Sequence, residues 1–294
     1  MPPRVALFGH GAMGRRHAAV LEGRAEVVIV DPAVGVAALE GAVDAAIVAV
    51  PAGLHAAVAT PLLGAGVPCL VEKPVATTLD EADALAAHPQ AWVGHVERFN
   101  PAFVCLRAHA GTFPWSHAAF RREGPRPARG VDLDVALDLL VHDLDLLAQL
   151  APGDPVVRMA ARPHPAEGLA REEGIVVDLV LASGRTAAFS AARGLPEPRR
   201  TLVLGVSSGN DGSHEARWAD LLARAAWAGA TPLPIRDHDA LRAQDAAFLA
   251  RACGGIASDG VDAPLATAGE GRDAVVLALR ALHLRDRVVV GTVP

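Results

Sequence analysis

A glycine-rich turn near the start of the chain limits its fold more than any other feature. Residues 4–8 are mostly apolar and favour a buried strand, and they lead directly into Gly9-His10-Gly11-Ala12-Met13-Gly14. At this spacing the first glycine permits a tight turn, the second lets the backbone approach a pyrophosphate, and the third lets helix and strand pack closely. The helix that follows offers N–H groups to an anion. We therefore predict dinucleotide binding by Gly9, Gly11, Ala12, Met13 and Gly14; the alternative is a turn without a ligand.

An acidic residue after the next strand-like segment predicts which dinucleotide binds. The segment Glu26 to Val30 has the composition of a strand, and Asp31 follows it. The Asp31 carboxylate would accept hydrogen bonds from the adenosine ribose hydroxyls, whereas a 2′-phosphate would meet its negative charge. No arginine follows Asp31 directly to offset that charge. NAD is therefore the predicted cofactor rather than NADP.

Strands and helices alternate up to about residue 100. Apolar segments typical of buried strands lie at 4–8, 26–30, 45–50, 68–71 and 92–94. This alternation predicts the α/β class, with a doubly wound parallel sheet of the Rossmann type and ligands at the carboxyl ends of its strands. Asp31, Pro51, Lys73 and His95 follow predicted strand ends, so we expect them to line one crevice. Three histidines are expected to contact the cofactor or loop backbone: His17, His55 and His95.

The second half of the chain has a different pattern. Strand-like segments lie at 156–161, 174–181, 185–192 and 202–206, and helices are predicted at 133–150, 236–253 and 269–284. The strand spacing and the turn at Ser183-Gly184 are typical of an antiparallel sheet with hairpins. We assign residues 1–118 to a first domain and 119–294 to a second, whose last helix could pack back on the first. Residues 207–235 show no clear period and stay unassigned.

The overall composition argues against several classes of partner and location. A net charge of −6 at pH 7 disfavours binding to nucleic acid or to an anionic membrane surface. The apolar stretch 45–71 is interrupted by prolines, so it does not read as a membrane-spanning helix. Cys69, Cys105 and Cys253 form no spaced framework and no signal-peptide pattern is present, so we expect a reducing cytoplasm.

The only lysine of the chain is a candidate for chemistry. The sequence contains 27 Lys and Arg residues, and all but Lys73 are Arg. An ammonium is a compact point charge that fits a tight site, whereas a guanidinium is a broad planar fork. Lys73 ends an apolar run and precedes Pro74. We predict a role for Lys73 in the site; the alternative is a surface lysine.

An acid and a histidine on one predicted helix form the second candidate. Asp138 and His142 have the i, i+4 spacing that places two side chains on the same helix face. The acid could fix the imidazole orientation and leave the other ring nitrogen as a base that titrates near neutral pH. In one alternative, His142 fills a polar spot on a buried helix. In another, Asp138, His142 and Asp145 bind a metal, but one histidine without cysteines is a poor ligand set, and we expect no metal.

Taken in chain order, these motifs resemble the Gfo/Idh/MocA family of oxidoreductases. The resemblance rests on Gly9–His17, Asp31, Pro51 with His55, Glu72-Lys73-Pro74, and Asp138–His142. It implies an N-terminal Rossmann domain and a C-terminal α/β domain whose open, mostly antiparallel sheet binds substrate and often mediates homodimers or homotetramers. It also implies that Lys73 lies beside nicotinamide and substrate, and that His142 is the acid/base with Asp138 nearby. Further cofactor contacts are implied for Pro51, His55, Glu72 and Lys73.

Within that family, the segments 94–101 and 137–146 are most similar to UDP-N-acetylglucosamine 3-dehydrogenases. The similarity implies hydride transfer from the sugar 3-hydroxyl to NAD. His142 would remove the hydroxyl proton, and Lys73 would stabilise the developing alkoxide through a charge-assisted hydrogen bond.

Substrate contacts are predicted after the fifth strand. Arg98 is a candidate ligand of a substrate phosphate, with Glu97 and Asn100 beside it; a structural ion pair of Arg98 is an equal alternative. Ala52 departs from the family pattern, which often has a polar residue there. The alternative functions are a dehydrogenase of a free sugar or cyclitol, and a non-catalytic NAD-binding sensor.

Overall fold

The computed structural model describes residues 1–30, 42–127, 132–206, 215–254 and 259–287. The chain divides into two compact units, each built from two stretches. The first unit comprises Met1–Phe99 and His238–Val275, and the second comprises Asn100–Asp237 and Val276–Pro294. Among the helices in the described ranges, none is long and apolar enough to cross a lipid bilayer.

The described residues form regular elements at the following positions. The strands are β1 Arg4–Phe8, β2 Glu26–Val30, β3 Ala45–Val48, β4 Cys69–Glu72, β5 Ala91–Gly94, β6 His117–Gly124, β7 Val156–Pro163, β8 Gly174–Leu181, β9 Thr186–Arg193, β10 Arg199–Gly205, β11 Ala216–Asp220, β12 Ala225–Ala228, β13 Thr231–Pro232 and β14 Ala266–Thr267. The α-helices are α1 Ala12–Leu21, α2 His55–Gly64, α3 Leu79–Ala86, α4 Pro101–Ala110, α5 Val141–Leu150, α6 Ala240–Cys253 and α7 Ala268–Arg287. Shorter helical turns are Ala52–Leu54, Val96–Phe99 and Arg171–Glu173, and a π-helical segment, Ala136–Leu140, precedes α5.

The first unit contains the parallel sheet. Its strand order is β14-β5-β4-β3-β1-β2, and every neighbouring pair is parallel except β14 with β5. Strands β1, β3 and β4 are almost entirely buried because their side chains are apolar on both faces. The Rossmann-type sheet predicted from the alternation of strands and helices is confirmed.

Helix α6 completes the core of the first unit although it comes from the later part of the chain. Phe248 and Leu249 of α6 pack in one buried cluster with Leu7 of β1 and Ile47 of β3. Because burial of apolar surface is the main favourable term in folding, these contacts join α6 to the first unit. The predicted boundary at residue 118 differs from this division, since α4 lies in the second unit and α6 in the first.

The second unit contains the open sheet. Its strand order is β13-β12-β11-β10-β6-β9-β8-β7, and neighbours are antiparallel except β6 with β9. On the buried face, the rings of Phe120 and Phe189 stack with their centroids 4.7 Å apart. Ala119 and Ala188 alternate with them and are half-exposed on the other face. The mostly antiparallel sheet predicted from the strand spacing is confirmed.

Strands β11, β12 and β13 lie in the region that the sequence left unassigned. Trp218 of β11 stands opposite Trp227 of β12, and their rings stack 3.8 Å apart. These strands are short and rich in alanine, so their alternation of apolar and polar residues is a weak signal. Antiparallel pairing with β10 holds β11 in the sheet, although the sequence of β11 itself predicts a strand only weakly. Residues 207–214 of this region lie outside the described ranges.

Candidate active site

The glycine turn after β1 leaves no room for a side chain at two of its three glycines. Gly9 has a φ of +89°, and a Cβ there would lie 2.6 Å from the carbonyl oxygen of Ala49. A Cβ on Gly14 would overlap the carbonyl oxygen of Gly9. Glycine is therefore required at both positions to bring β1, the start of α1 and the chain after β3 together.

The middle glycine faces open space at the start of α1. Gly11 is the N-cap residue, no side chain caps the helix there, and a Cβ on Gly11 would have nothing within 4 Å. Ala12 and Met13 begin the first helical turn, which contains no acidic residue. Its N–H groups can therefore donate to an anion, and this open approach fits a dinucleotide pyrophosphate. The predicted ribose ligand, Asp31, lies outside the described residues.

His55 joins the loops that follow β3 and β4. Its Nδ1 lies 2.9 Å from the carbonyl oxygen of Pro74, and its Nε2 lies 3.0 Å from that of Val50. Burial lowers the pKa of His55 against the opposing effect of the two carbonyl groups. Pro51 precedes the turn Ala52–Leu54 that leads into His55. As predicted, His55 contacts loop backbone, and it links the segment after Lys73 to the end of β3.

Lys73 directly follows β4 and is anchored through Glu72. The backbone N–H of the half-buried Lys73 donates to Glu72 Oε2 at 3.2 Å, and Glu72 Oε1 lies 3.1 Å from His17 Nε2. The other ring nitrogen of His17 lies 2.8 Å from Asp245 Oδ2. Since His17, Glu72 and Asp245 are all buried, α1, β4 and α6 meet at one polar cluster beside Lys73.

The three ionisable side chains of this cluster have shifted pKa values. Burial alone would lower the pKa of His17, but Asp245 and Glu72 outweigh it and raise that pKa to about 10. Burial alone would raise the pKa of Glu72, but His17, helped by Lys73 and His55, holds it below its usual range. The pKa of Asp245 is raised because its burial outweighs the charge of His17. The raised pKa of His17 favours its imidazolium form, which can donate from both nitrogens.

Asp245 is the residue of this cluster that the sequence did not reveal. Its partner His17 lies 228 positions away, so no local motif contains both. One signal was available: Asp245 is an acid among buried positions of a helix otherwise rich in Ala, Leu and Phe. A carboxylate in such surroundings needs a cationic or hydrogen-bonding partner, because burial of an unpaired charge is costly.

The turn after β5 buries two of the residues predicted to contact substrate. Glu97 and Arg98 are both buried, and the backbone N–H of Arg98 donates to the carbonyl oxygen of His95 at 3.0 Å. The Arg98 guanidinium, 1% exposed, lies 3.2 Å from Glu270 Oε1 and donates to the carbonyl oxygen of Pro264 at 3.5 Å. Of the two interpretations of Arg98, the structure supports the ion pair. The phosphate contact of Arg98 stays a prediction, and the guanidinium that would make it is enclosed and paired with Glu270.

Asn100, which is also predicted to contact substrate, has hydrogen-bond partners within the second unit. Its Oδ1 accepts a hydrogen bond from the backbone N–H of Ala102 at 3.1 Å and so caps α4. Its Nδ2 donates to the carbonyl oxygen of Leu221 at 3.0 Å. Both ends of this buried amide are engaged within the second unit, and its contact with substrate stays a prediction.

Asp138 and His142 lie where the π-helical segment passes into α5. Asp138 Oδ2 accepts a hydrogen bond from Arg193 Nη1 at 3.2 Å. Arg193 is buried, donates to the carbonyl oxygen of Leu133 at 2.8 Å, and has its Nε 3.3 Å from Glu173 Oε2. The i, i+4 argument assumed an α-helix, and the wider π turn changes the angle between the two side chains. Arg193 is a second site residue that the sequence did not reveal.

A buried ion pair anchors the backbone next to His142. Arg122 of β6 donates from Nε at 3.0 Å and from Nη2 at 2.7 Å to Asp143 Oδ1. Charge-assisted bonds of this kind are strong and directional, so they fix the start of α5 against β6. Asp145 is also buried. Across the described part of the chain, no group of three His, Cys, Asp or Glu side chains is arranged to hold a metal ion.

Adjacent strands bring most of the predicted cofactor residues together in the first unit. β1, β3 and β4 are neighbours in the sheet, and their carboxyl ends lead into the glycine turn, Pro51 and Lys73. Carboxyl ends of parallel strands lie along one edge, where dinucleotides bind in sheets of this type. The proposed acid/base pair, Asp138 and His142, belongs to the second unit.

Comparison with known proteins agrees with this geometry. Residues 25–91 match the model of the Gfo/Idh/MocA oxidoreductase family, described by its NAD-binding Rossmann fold. The chain is 35% identical over 176 residues to UDP-N-acetylglucosamine 3-dehydrogenase of Acidithiobacillus ferrooxidans, covering 57% of this chain and 54% of that protein. It is 30% identical over 200 residues to inositol 2-dehydrogenase 2 of Saccharopolyspora erythraea, covering 60% of this chain and 58% of that protein. The alignments thus span little more than half the length of these two curated relatives.

A solved structure extends the likeness to almost the whole chain. UDP-N-acetylglucosamine 3-dehydrogenase from Acidithiobacillus ferrooxidans has a TM-score of 0.81 and 26% identity, covering 97% of this chain and 98% of that chain. The sequence match to the Gfo/Idh/MocA family model covers residues 25–91, which lie within the first unit. That unit has the Rossmann fold, and NAD is its cofactor.

Proposed function

We propose that this protein is an NAD-dependent dehydrogenase that oxidises a secondary hydroxyl group of a sugar, most specifically the 3-hydroxyl of UDP-N-acetylglucosamine. The observation that carries the reaction type is the position of Lys73. The only lysine of the chain follows β4, at the sheet edge that also bears the glycine turn. Similarity to the Acidithiobacillus enzyme supports the choice of sugar.

The proposed roles follow from the chemistry of each group. When bound, NAD accepts a hydride from the carbon that bears the hydroxyl group. His142 takes the hydroxyl proton as general base. Lys73 donates a charge-assisted hydrogen bond to the same oxygen as negative charge develops there. Asp138, held by Arg193, orients the base.

A cyclitol is the second candidate substrate. Among the relatives, the Saccharopolyspora protein is named as an inositol 2-dehydrogenase. In addition, the structure gives Arg98 and Asn100 intramolecular partners, so neither supports a nucleotide diphosphate. The preference for a nucleotide sugar therefore comes from the similarity to the Acidithiobacillus enzyme.

The test is NADH formation with UDP-N-acetylglucosamine, N-acetylglucosamine and myo-inositol, with hydrazine present to trap the ketone. We expect kcat/KM for the UDP-sugar to exceed the others by at least about tenfold, equivalent to about 1.4 kcal/mol of differential transition-state binding. The Lys73→Met variant, which keeps a long unbranched side chain without the charge, is the matched inactive control.

Other outcomes identify the competing functions. Faster turnover of myo-inositol would replace the nucleotide sugar with a cyclitol. No NADH with any substrate, together with tight NAD binding, would favour the non-catalytic sensor. The same assay with NADP tests Asp31. NADP should give a lower kcat/KM than NAD, and Asp31→Ser should narrow this difference in kcat/KM.

We also propose that two or four copies of the chain assemble through the half-exposed face of the second sheet. That face carries Ala119 and Ala188 at its centre and the stacked Trp218 and Trp227 towards one edge. Small residues allow close approach of a second sheet, and aromatic residues are enriched in protein interfaces. The net charge of −6 gives no support to a nucleic-acid partner.

A further inference from the structure

The buried cluster beside Lys73 contains more polar groups than the proposed reaction uses. Glu72 accepts the Lys73 backbone N–H at Oε2, while its Oε1 faces His17 Nε2 at 3.1 Å. Strand β5 leaves space for this carboxylate, since a Cβ on Gly94 would lie 2.6 Å from Glu72 Oε1. A carboxylate can accept at both oxygens at once. Glu72 therefore connects the backbone of Lys73 to the ring of His17.

Asp245 extends this connection to a third element. Its Oδ2 lies 2.8 Å from His17 Nδ1, and His17, Glu72 and Asp245 are only 0%, 7% and 1% exposed. A neutral imidazole has a single N–H, whereas two carboxylates face this ring, so the geometry needs one further proton within the cluster. A buried network with every member paired holds a single arrangement, because loss of one partner leaves a buried polar group or charge uncompensated.

We propose that Glu72, His17 and Asp245 are positioning residues for Lys73. Glu72 holds the Lys73 backbone, and His17, itself fixed by Asp245, prevents the Glu72 carboxylate from rotating. Because His17 is on α1, the network also ties Lys73 to the helix that begins at the glycine turn. The inference rests on the proposed role of Lys73. A purely structural role for the cluster would affect stability without moving Lys73 in the folded protein.

Two variants interrupt the network at different points. Glu72→Gln keeps the side-chain shape, but one of its two terminal atoms becomes an NH2 donor, which cannot accept from the Lys73 N–H or the His17 ring. His17→Gln removes the ring that joins Glu72 to Asp245. Since either variant could destabilise the fold, both are studied only under conditions where circular dichroism shows native structure.

A matched control breaks a different set of ion pairs near α1 and α6, in which Asp259 bridges two arginines. Asp259 lies 2.6 Å from Arg24, just after α1, and 3.7 Å from Arg242 of α6. The Asp259→Asn variant therefore weakens the link between α1 and α6 without touching Glu72. It should lower Tm and leave both Lys73 and turnover unchanged.

The single lysine makes its position directly measurable. Reductive methylation with ¹³C-formaldehyde gives one dimethyl-lysine NMR signal, besides that of the N-terminal amine. In Glu72→Gln and His17→Gln we expect this signal to shift or split, and kcat to fall by up to ~10²-fold, since a displacement of about 1 Å can have that effect.

The outcomes separate this inference from the proposed function. An unchanged lysine signal in both folded variants would overturn the positioning role, whatever their turnover. A shifted signal with unchanged kcat would support the anchoring of Lys73 and instead overturn its role in the reaction. Shifts of equal size in Asp259→Asn would show that any weakening of α1 and α6 disturbs Lys73, and would also overturn the proposal.

Discussion

At the scale of single residues, two buried carboxylates hold the segments that carry the proposed chemistry. Glu72 anchors the backbone of Lys73, and Arg122 pairs with Asp143, the residue after His142. Both carboxylates are buried, so losing either one leaves its polar or charged partners without an acceptor in the interior. The positions of Lys73 and of the helix bearing His142 are therefore set before any ligand binds.

The first prediction concerns the identity of the cation at position 73. In Lys73→Arg the charge is kept, but the broad guanidinium cannot occupy the place of a compact ammonium. We expect turnover to fall by ~10²-fold or more, the effect of displacing a reacting group by about 1 Å, while NAD still binds. Steady-state kinetics and NAD titration measure the two effects. Near-normal turnover in the folded variant would make Lys73 an ordinary surface lysine.

The second prediction concerns the proposed base. His142→Ala should lower kcat by about 10²- to 10⁴-fold, the usual contribution of general acid–base catalysis. Asp138→Asn should lower it less, because the base remains and only its orientation is weakened. Pre-steady-state and steady-state kinetics with the best substrate measure both variants. Equal losses of kcat in the two variants would show that Asp138 takes part in the proton transfer and does more than orient His142.

At the scale of elements, the glycine turn joins β1 to α1 and has two separable functions. Gly9 and Gly14 allow close packing, since a side chain at either position would meet backbone atoms. Gly11 faces open space at the N-terminus of α1. Packing and ligand binding are therefore assigned to different glycines.

The third prediction tests that separation. Gly14→Ala should lower both Tm and NAD affinity, because its Cβ would overlap the Gly9 carbonyl oxygen. Gly11→Ala should leave Tm almost unchanged and lower NAD affinity, because its methyl group fills the approach to the pyrophosphate. Thermal unfolding with and without NAD, and NAD titration, give both quantities. Normal NAD affinity in Gly11→Ala would show that the pyrophosphate does not bind at this turn.

The fourth prediction concerns the pH dependence of the contact between α1 and α6. The pKa of His17 is raised from 6.5 to about 10 in the folded protein, so its stabilising effect is complete below pH 6.5 and is lost as pH rises towards 10. The raised pKa of Asp245 acts in the same direction, and the lowered pKa of Glu72 acts only at acidic pH.

The measurement is the free energy of unfolding in urea between pH 6 and 10. The difference between wild type and His17→Gln should shrink steadily across that range. For Asp259→Asn, the difference from wild type should stay constant, since its partners Arg24 and Arg242 remain charged there. A constant difference for His17→Gln as well would mean that His17 is not protonated in the folded state.

At the scale of the whole molecule, the two units have different surfaces. The sheet of the first unit has buried central strands, whereas the second sheet alternates buried residues with half-exposed ones. A sheet with one accessible face can pair with another copy of itself. The accessible face is therefore where the proposed assembly is tested.

The fifth prediction concerns that assembly. Ala188→Glu places a charge at the centre of the half-exposed face and should convert the assembly to monomers, because an unpaired charge is costly in an interface core. Leu222→Glu, on an exposed position, is the matched control and should not change the mass. Light scattering coupled to gel filtration measures both. A monomeric wild type, or an unchanged Ala188→Glu assembly, would contradict the proposal.

The sequence by itself determined the features that depend on local rules. The spacing of Gly9, Gly11 and Gly14 between a strand and a helix predicted the turn and its cofactor, because each position requires glycine for a local steric reason. Alternation of strand and helix signals likewise predicted the parallel sheet, and regular hairpin spacing predicted the antiparallel one. Lys73 stood out because it is the only lysine.

Only the tertiary structure decided which distant residues meet. The sequence allows Arg98 to bind either a phosphate or an acid, and the structure places Glu270 3.2 Å from its guanidinium. The sequence gives no partner for Asp245, and the structure places His17 beside it. Local patterns cannot specify such partners, because the free energy of a buried charge depends on which groups surround it after folding. The π-helical segment at Asp138 and the return of α6 to the first unit were decided in the same way, by packing between segments far apart in the chain.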